Sequence, residues 1–156
     1  MSEAAIAFWA AYALILALAA IQDLRTMRIA NVYSVALLVI ALGYPLAIPG
    51  PAPFWHHLAS FAIVFASGVL LFSFGWLGGG DVKLFAAAAA WFGLAELAWF
   101  VAAALMTGAL LTIVMMGGRL VLSWGQSWRT VKTNRSIPYG VAIATSAIIL
   151  SSRPFV

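Results

Sequence analysis

The feature that most constrains this chain is its division into six apolar stretches, separated by short polar or turn-rich segments. Only 8% of the residues are charged, whereas soluble domains average about 25%, so this composition cannot build a water-facing surface. Lipid is the solvent that fits such a chain. The six stretches comprise residues 4–22, 32–48, 58–77, 82–92, 97–117 and 137–152.

Each stretch is predicted to be α-helical, because a backbone that crosses lipid must satisfy its own polar groups. The predicted fold class is therefore all-α: a polytopic membrane protein with six transmembrane helices in a single domain, residues 1–156. A crossing helix needs about 20 residues, so the fourth stretch predicts a short helix. Its alanines at 86–90 predict a tight packing surface, since small residues let helices approach closely.

The basic residues indicate how the predicted helices are oriented. All lysines and arginines except Arg153 lie in the first, third and fifth connections, if Lys83, at the start of the fourth stretch, is counted with the third connection. The positive-inside rule places those connections in the cytosol and both termini outside. Asp23 follows the first apolar stretch and Asp81 precedes the fourth. Both are therefore expected at the same, cytosolic side of the membrane.

Asp23 and Asp81 are the candidate functional residues, because an ionisable group at membrane depth is unfavourable and marks function by default. Structural alternatives stay open for each. Asp23 also suits an ion pair with Arg25 or Arg28, and Asp81 also suits the N-cap of the fourth helix. Three glycines, Gly78, Gly79 and Gly80, come directly before Asp81. They favour the functional interpretation of Asp81, because glycine lets another chain approach closely.

These residues resemble a known family. Gly78-x-Gly80-Asp81 is similar to the GxGD signature of intramembrane aspartic proteases, and residues 78–84, Gly-Gly-Gly-Asp-Val-Lys-Leu, resemble the prepilin peptidases. Residues 23–31, Asp-Leu-Arg-Thr-Met-Arg-Ile-Ala-Asn, resemble the segment that carries the other catalytic aspartate, with Ala30 where that family usually has proline. Ile137-Pro138-Tyr139-Gly140 resembles an element of the short enzymes that serve Tad/Flp-type pili.

The resemblance implies an aspartic endopeptidase with Asp23 and Asp81 as its catalytic pair. It implies a prepilin substrate with an apolar N-terminal helix, cut after a short leader by an active site that faces the cytosol from the cytoplasmic (inner) membrane. Longer members carry an N-terminal cytosolic region with paired cysteines, linked to N-methylation. This sequence begins directly with an apolar stretch and has no cysteine, so the resemblance implies a peptidase alone. We expect no cofactor.

Two polar neighbours of the aspartates have more than one interpretation. Lys83 is suited to steering substrate or acting on a carboxylate, and equally to marking the membrane surface. Asn31 is suited to holding the Asp23 loop, but we favour it as the cap of the second helix.

Other functional classes remain open on the sequence alone. A small transporter or proton-conducting subunit also uses buried carboxylates, although no pseudo-repeat relates the two halves of this chain. A membrane scaffold with purely structural aspartates is a further class. Among enzymes, the nearest alternative is a GxGD protease that acts on archaeal preflagellin or on signal peptides.

The remaining signals concern lipid and metal. Residues 119–136 predict an amphipathic, basic helix lying on anionic lipid at the cytosolic side. The adjacent His56 and His57 have no Cys, Asp or Glu nearby in the sequence, so we interpret them as interfacial residues and expect no metal. Nothing in the sequence indicates a nucleic-acid partner.

Overall fold

The computed structural model describes residues 2–48, 50, 52–122 and 138–152. Within these ranges the regular structure is all α-helical, as predicted, and comprises six helices. In chain order they are α1 (Glu3–Thr26), α2 (Asn31–Ala47), α3 (Phe54–Ser73), α4 (Gly79–Ala89), α5 (Leu94–Leu122) and α6 (Tyr139–Ser151). The predicted amphipathic stretch lies outside the described residues, apart from its first four, which continue α5.

Three of these helices are long and apolar enough to cross a membrane: α1, α3 and the Leu94–Gly118 part of α5. α2 and α6 are shorter apolar helices of 17 and 13 residues, and α4 has only 11. The prediction that the fourth helix is short is thus confirmed. Six membrane crossings and external termini stay predictions.

The helix limits differ from the limits of the apolar stretches by about one turn. α1 continues past residue 22 to Thr26, so Asp23 lies inside the helix and not at its end. α4 begins at Gly79, three residues before the predicted start, and also ends three residues earlier. The reason is that hydrogen bonding sets the ends of a helix, whereas the apolar pattern marks only the part that avoids water.

α4 lies at the centre of the bundle, where it contacts α2, α3, α5 and α6. The alanines at 86–90 are at most 1% exposed, so the predicted packing surface is confirmed. Close approach extends to α3, where a β-carbon at Gly68 would lie only 2.8 Å from Val82 Cγ1. Small side chains on both helices therefore allow α4 to sit inside the bundle.

Two side chains from other helices satisfy carbonyls at the C-terminal end of α4. The Tyr12 hydroxyl donates to the Ala88 carbonyl (2.9 Å), and His57 Nδ1 lies 3.1 Å from the Ala90 carbonyl, to which it donates. The Ala88 carbonyl also accepts the Trp91 N–H (3.2 Å), so the two side chains add to the hydrogen bonding at a helix end, where the α-helical ladder runs out of donors. His57 is buried here, a position that we did not expect for an interfacial residue.

Candidate active site

Asp23 lies in the last turn of α1 and is only 5% exposed. The helix ends at Thr26, and its C-cap, Met27, has a left-handed φ of 52° and donates its N–H to the Asp23 carbonyl (2.8 Å). This reversal sends residues 28–30 back across the end of α1 to the start of α2. It encloses the Asp23 side chain, while Arg25 and Arg28 remain exposed.

The Asp23 carboxylate is held by α6. Its Oδ2 accepts a hydrogen bond from the backbone N–H of Gly140 (2.9 Å), the second residue of that helix. A helix N-terminus offers free N–H groups and the positive end of the helix dipole, both of which suit a carboxylate. The ion-pair interpretation of Asp23 with Arg25 or Arg28 is therefore wrong: the partner is a backbone donor 117 residues away.

Gly140 has to be glycine for this arrangement. A β-carbon at this position would lie 2.8 Å from Asp23 Oδ2 and 2.9 Å from Ile29 Cδ1. Pro138, just before α6, is fully buried and contributes no N–H of its own. Pro138-Tyr139-Gly140 entered the sequence argument only as part of a resemblance, and the structure gives it a physical task, which is to present one N–H to Asp23.

Asp81 is the third residue of α4. The N-cap is Gly78, which forms no side-chain cap, so the interpretation of Asp81 as the N-cap is wrong. The Asp81 carboxylate turns back and accepts a hydrogen bond from the Gly78 backbone. A β-carbon at Gly78 would lie 2.7 Å from Asp81 Oδ2, so this glycine leaves room for the carboxylate of its own helix.

Ile29 connects the surroundings of the two aspartates. Its Cβ would be 3.3 Å from a β-carbon at Gly80, next to Asp81, and its Cδ1 reaches Gly140, next to Asp23. The C-terminal end of α1 and the N-terminal ends of α4 and α6 thus meet at one end of the bundle. The carboxylates are close enough for the negative charge of Asp23 to act on that of Asp81.

Two carboxylates in this relation cannot both ionise cheaply, so they tend to share a proton. Such a pair can supply a general base and a general acid at the same time. Within the described ranges, no group of three or more His, Cys, Asp and Glu side chains is placed to hold a metal ion.

The other two glycines before Asp81 are packed by the chain itself. A β-carbon at Gly79 would meet the ring of Phe72 at 3.4 Å, and one at Gly80 would meet Ile29. The glycine run predicted that another part of a chain approaches closely. In the structure the side chains of Phe72 and Ile29 make that approach.

Asn31 and Lys83 lie together, apart from the two carboxylates. The Lys83 ammonium donates to Asn31 Oδ1 (3.0 Å), which links the start of α2 to α4. The N-cap of α2 is Ala30, with no side-chain cap, so our interpretation of Asn31 as the cap is wrong. The amide does not cap because it faces the neighbouring helix.

Gln22 is a site residue that the sequence analysis missed. Its Oε1 accepts the backbone N–H of Ala30 (3.0 Å), which ties the loop after Asp23 to α1. Proline at position 30 would have no N–H to satisfy. Alanine in place of the family's usual proline was therefore the sequence feature that could have revealed Gln22. It adds a backbone N–H at position 30 that needs an acceptor, and Gln22 supplies that acceptor.

Comparison with known proteins gives one match. The family model described as the type IV leader peptidase family matches residues 10–113, which is more than half of the chain and includes both aspartates. Searches of curated proteins and of solved structures each found no match.

Proposed function

Because the chain belongs to the type IV leader peptidase family, we propose that it is an intramembrane aspartic endopeptidase. Its substrate in this proposal is a prepilin of the type IV, Tad/Flp-like kind, from which it removes the leader at the cytosolic face of the membrane. Asp23 and Asp81 are the catalytic residues. The cytoplasmic (inner) membrane is the proposed location.

The observation that carries the proposal is the meeting of two carboxylates from distant parts of the chain. Asp23 comes from α1 and Asp81 from α4, and the charge of one acts on the other. Each carboxylate is oriented by one backbone N–H, from Gly140 and from Gly78 respectively. Fixed orientation matters because proton transfer needs the donor and acceptor atoms within hydrogen-bond reach.

The proposed reaction is hydrolysis with one proton held between the two carboxyl groups. The ionised carboxylate takes a proton from a water molecule, whose oxygen attacks the scissile carbonyl carbon. The protonated carboxyl gives its proton to the carbonyl oxygen, forming a tetrahedral intermediate. When that intermediate collapses, the C–N bond breaks and the leaving amine takes the proton that came from water. A hydroxyl of the intermediate returns its proton to the other carboxylate, so that water is consumed and one carboxyl of the pair is again protonated.

The surroundings of the pair suit a substrate that enters from the membrane. The apolar helix of the substrate would lie in lipid beside the bundle, where most of the enzyme's own outward surface is apolar. Its leader would lie at the end of the bundle that carries the exposed Arg25, Arg28 and Lys83. Cytosolic connections are the ones that collect such residues, which supports a cut on that side.

The test is processing of a co-expressed prepilin by Asp23→Asn and Asp81→Asn, each of which keeps the shape of the side chain. Both variants should lose cleavage while still inserting in the membrane. Glu3→Gln is the matched control, since it makes the same change at an exposed acid at the far end of α1, and it should cleave normally. Full processing by either aspartate variant would remove the pair from consideration. Thiol reagents and chelators should have little effect.

A further inference from the structure

A groove opens between α2, α3 and α4, away from the two aspartates. Its volume is about 300 Å³, and α4 contributes Lys83 and Ala87 to its wall. Residues four apart share a face of a helix, whereas Asp81, two residues before Lys83, points to another side. The groove is therefore separate from the candidate active site.

One end of the groove is positively charged. The Lys83 ammonium is exposed, and its hydrogen-bond partner is the neutral amide of Asn31 (3.0 Å). Within the part of the chain that the structure describes, Lys83 forms no ion pair with a carboxylate. A cation and an amide together at the mouth of the groove favour an anionic group.

A buried hydroxyl without a partner lies one helical turn further in. Ser34 is 7% exposed and lines the groove, and its Oγ has no hydrogen-bond partner. The buried Ser60 and Ser146 differ, because each donates to the carbonyl four residues earlier in its own helix. Buried hydroxyls usually have a hydrogen-bond partner, so the unpaired Ser34 hydroxyl indicates an acceptor that is not part of the chain.

The rest of the wall is apolar. Val35 and Leu38 of α2 face Phe61 and Phe65 of α3, and the polar groups of the lining are those of Asn31, Ser34 and Lys83. An extended peptide in this groove would leave most of its backbone N–H and C=O groups without partners, which is unfavourable away from water. A hydrocarbon chain needs no such partners.

We propose that this groove binds one anionic phospholipid. The phosphate lies against Lys83 and Asn31, an ester carbonyl accepts from the Ser34 hydroxyl, and one acyl chain follows the apolar wall. Along α2, Ser34 is about 4.5 Å deeper than Asn31, given a rise of about 1.5 Å per residue. The acceptor is therefore expected below the phosphate, which is where the ester groups of a phospholipid lie.

The experiment titrates the purified full-length protein with dioleoyl phosphatidylglycerol or dioleoyl phosphatidylcholine and counts bound lipid by native mass spectrometry. One phosphatidylglycerol should bind about fivefold more tightly than phosphatidylcholine, since a single lysine contributes about that factor. Lys83→Gln should remove this preference. Ser34→Ala should weaken both lipids alike, since the ester carbonyl is common to both.

Two tryptophan variants on α2 test the position of the acyl chain. Val35→Trp narrows the groove and should weaken both lipids, whereas Val39→Trp, at a similarly exposed valine outside the lining, should weaken neither. Equal affinity for the two lipids in the unmodified protein would overturn the proposal. So would equal effects of the two tryptophans, or displacement of the lipid by a leader-bearing peptide, which would make the groove a peptide subsite.

Discussion

Replacing Gly140 with alanine tests the link between α6 and Asp23 directly. The new β-carbon would lie 2.8 Å from Asp23 Oδ2, 2.9 Å from Ile29 Cδ1 and 3.2 Å from Asp23 Cβ. None of these atoms belongs to a flexible side-chain end with free space behind it, because Asp23 is buried and Ile29 is packed against Gly80. The clash therefore has to move Asp23, Ile29 or the start of α6.

The size of the effect follows from the distances. Ordinary contact begins at 3.4 Å, so the carboxylate oxygen must retreat by about 0.6 Å, and a misplacement of about 1 Å costs roughly a hundredfold in rate. The same retreat stretches the hydrogen bond from Gly140, now 2.9 Å. We expect kcat to fall roughly 10- to 100-fold. The KM for the substrate should change little, because Gly140 faces Asp23 and not the substrate.

The assay is single-turnover and steady-state cleavage of a leader-bearing peptide by purified protein. Gly108→Ala is the matched control: it adds the same β-carbon at the α5–α6 interface, where the ring of Tyr139 would be met at an ordinary 3.6 Å. That variant should keep its activity. If Gly140→Ala cleaves as fast as the unmodified protein, the backbone bond to Asp23 does not position the carboxylate.

Two further predictions concern the loops around the aspartates. Gly78→Ala should reduce cleavage strongly, because its β-carbon would lie 2.7 Å from Asp81 Oδ2. Gly79→Ala is the control and should be tolerated, since its β-carbon would lie 3.4 Å from the Phe72 ring. Similar cleavage rates for the two variants in the peptide assay would contradict this prediction. Gln22→Ala should destabilise the protein by about 1 kcal/mol through the lost bond to Ala30, but should have little effect once Ala30→Pro has removed that N–H. Proline is suited to position 30, because Ala30 has a φ of −71° that proline adopts without strain. A double-mutant cycle of unfolding in SDS, followed by tryptophan fluorescence, measures the coupling between positions 22 and 30. Additive effects of the two substitutions would refute the prediction.

Much of the architecture is predictable from hydropathy alone. Six apolar stretches became six helices, and the alanines at 86–90 became the buried centre of the bundle, because the apolar pattern records which side chains avoid water. The ends of the helices were less predictable. Asp23, Arg25 and Thr26 end the apolar stretch but still extend α1, since the hydrogen-bond ladder does not depend on side-chain polarity.

The partners within the site were not predictable from local sequence. Asp23 meets Gly140 across 117 residues, and Asn31 meets Lys83 across 52. Local preference suggested an ion pair for Asp23 and caps for Asn31 and Asp81. Tertiary packing overrode the first two, because a neighbouring helix supplied a different partner than local capping and ion-pair preferences assume. Asp81 differs only in register: the helix begins two residues earlier than Asp81, so this carboxylate accepts from the Gly78 backbone and is not itself the cap.

The central claim is that Asp23 and Asp81 lie at one site, and cysteine cross-linking tests it most directly because the chain has no cysteine of its own. The Asp23→Cys/Asp81→Cys double variant is treated in membranes with a short, reducible thiol cross-linker and then cleaved at methionine with cyanogen bromide. Met27 lies between the two positions, so only cross-linked protein keeps its N-terminal fragment attached until the linker is reduced.

The control pair is Glu3→Cys/Asp81→Cys, in which the first thiol lies at the other end of α1, about 30 Å along the helix from Asp23. We predict efficient cross-linking of the first pair and none of the second. Free fragments from the first pair, under conditions in which both thiols are shown to react singly, would contradict the claim that the two carboxyl groups meet.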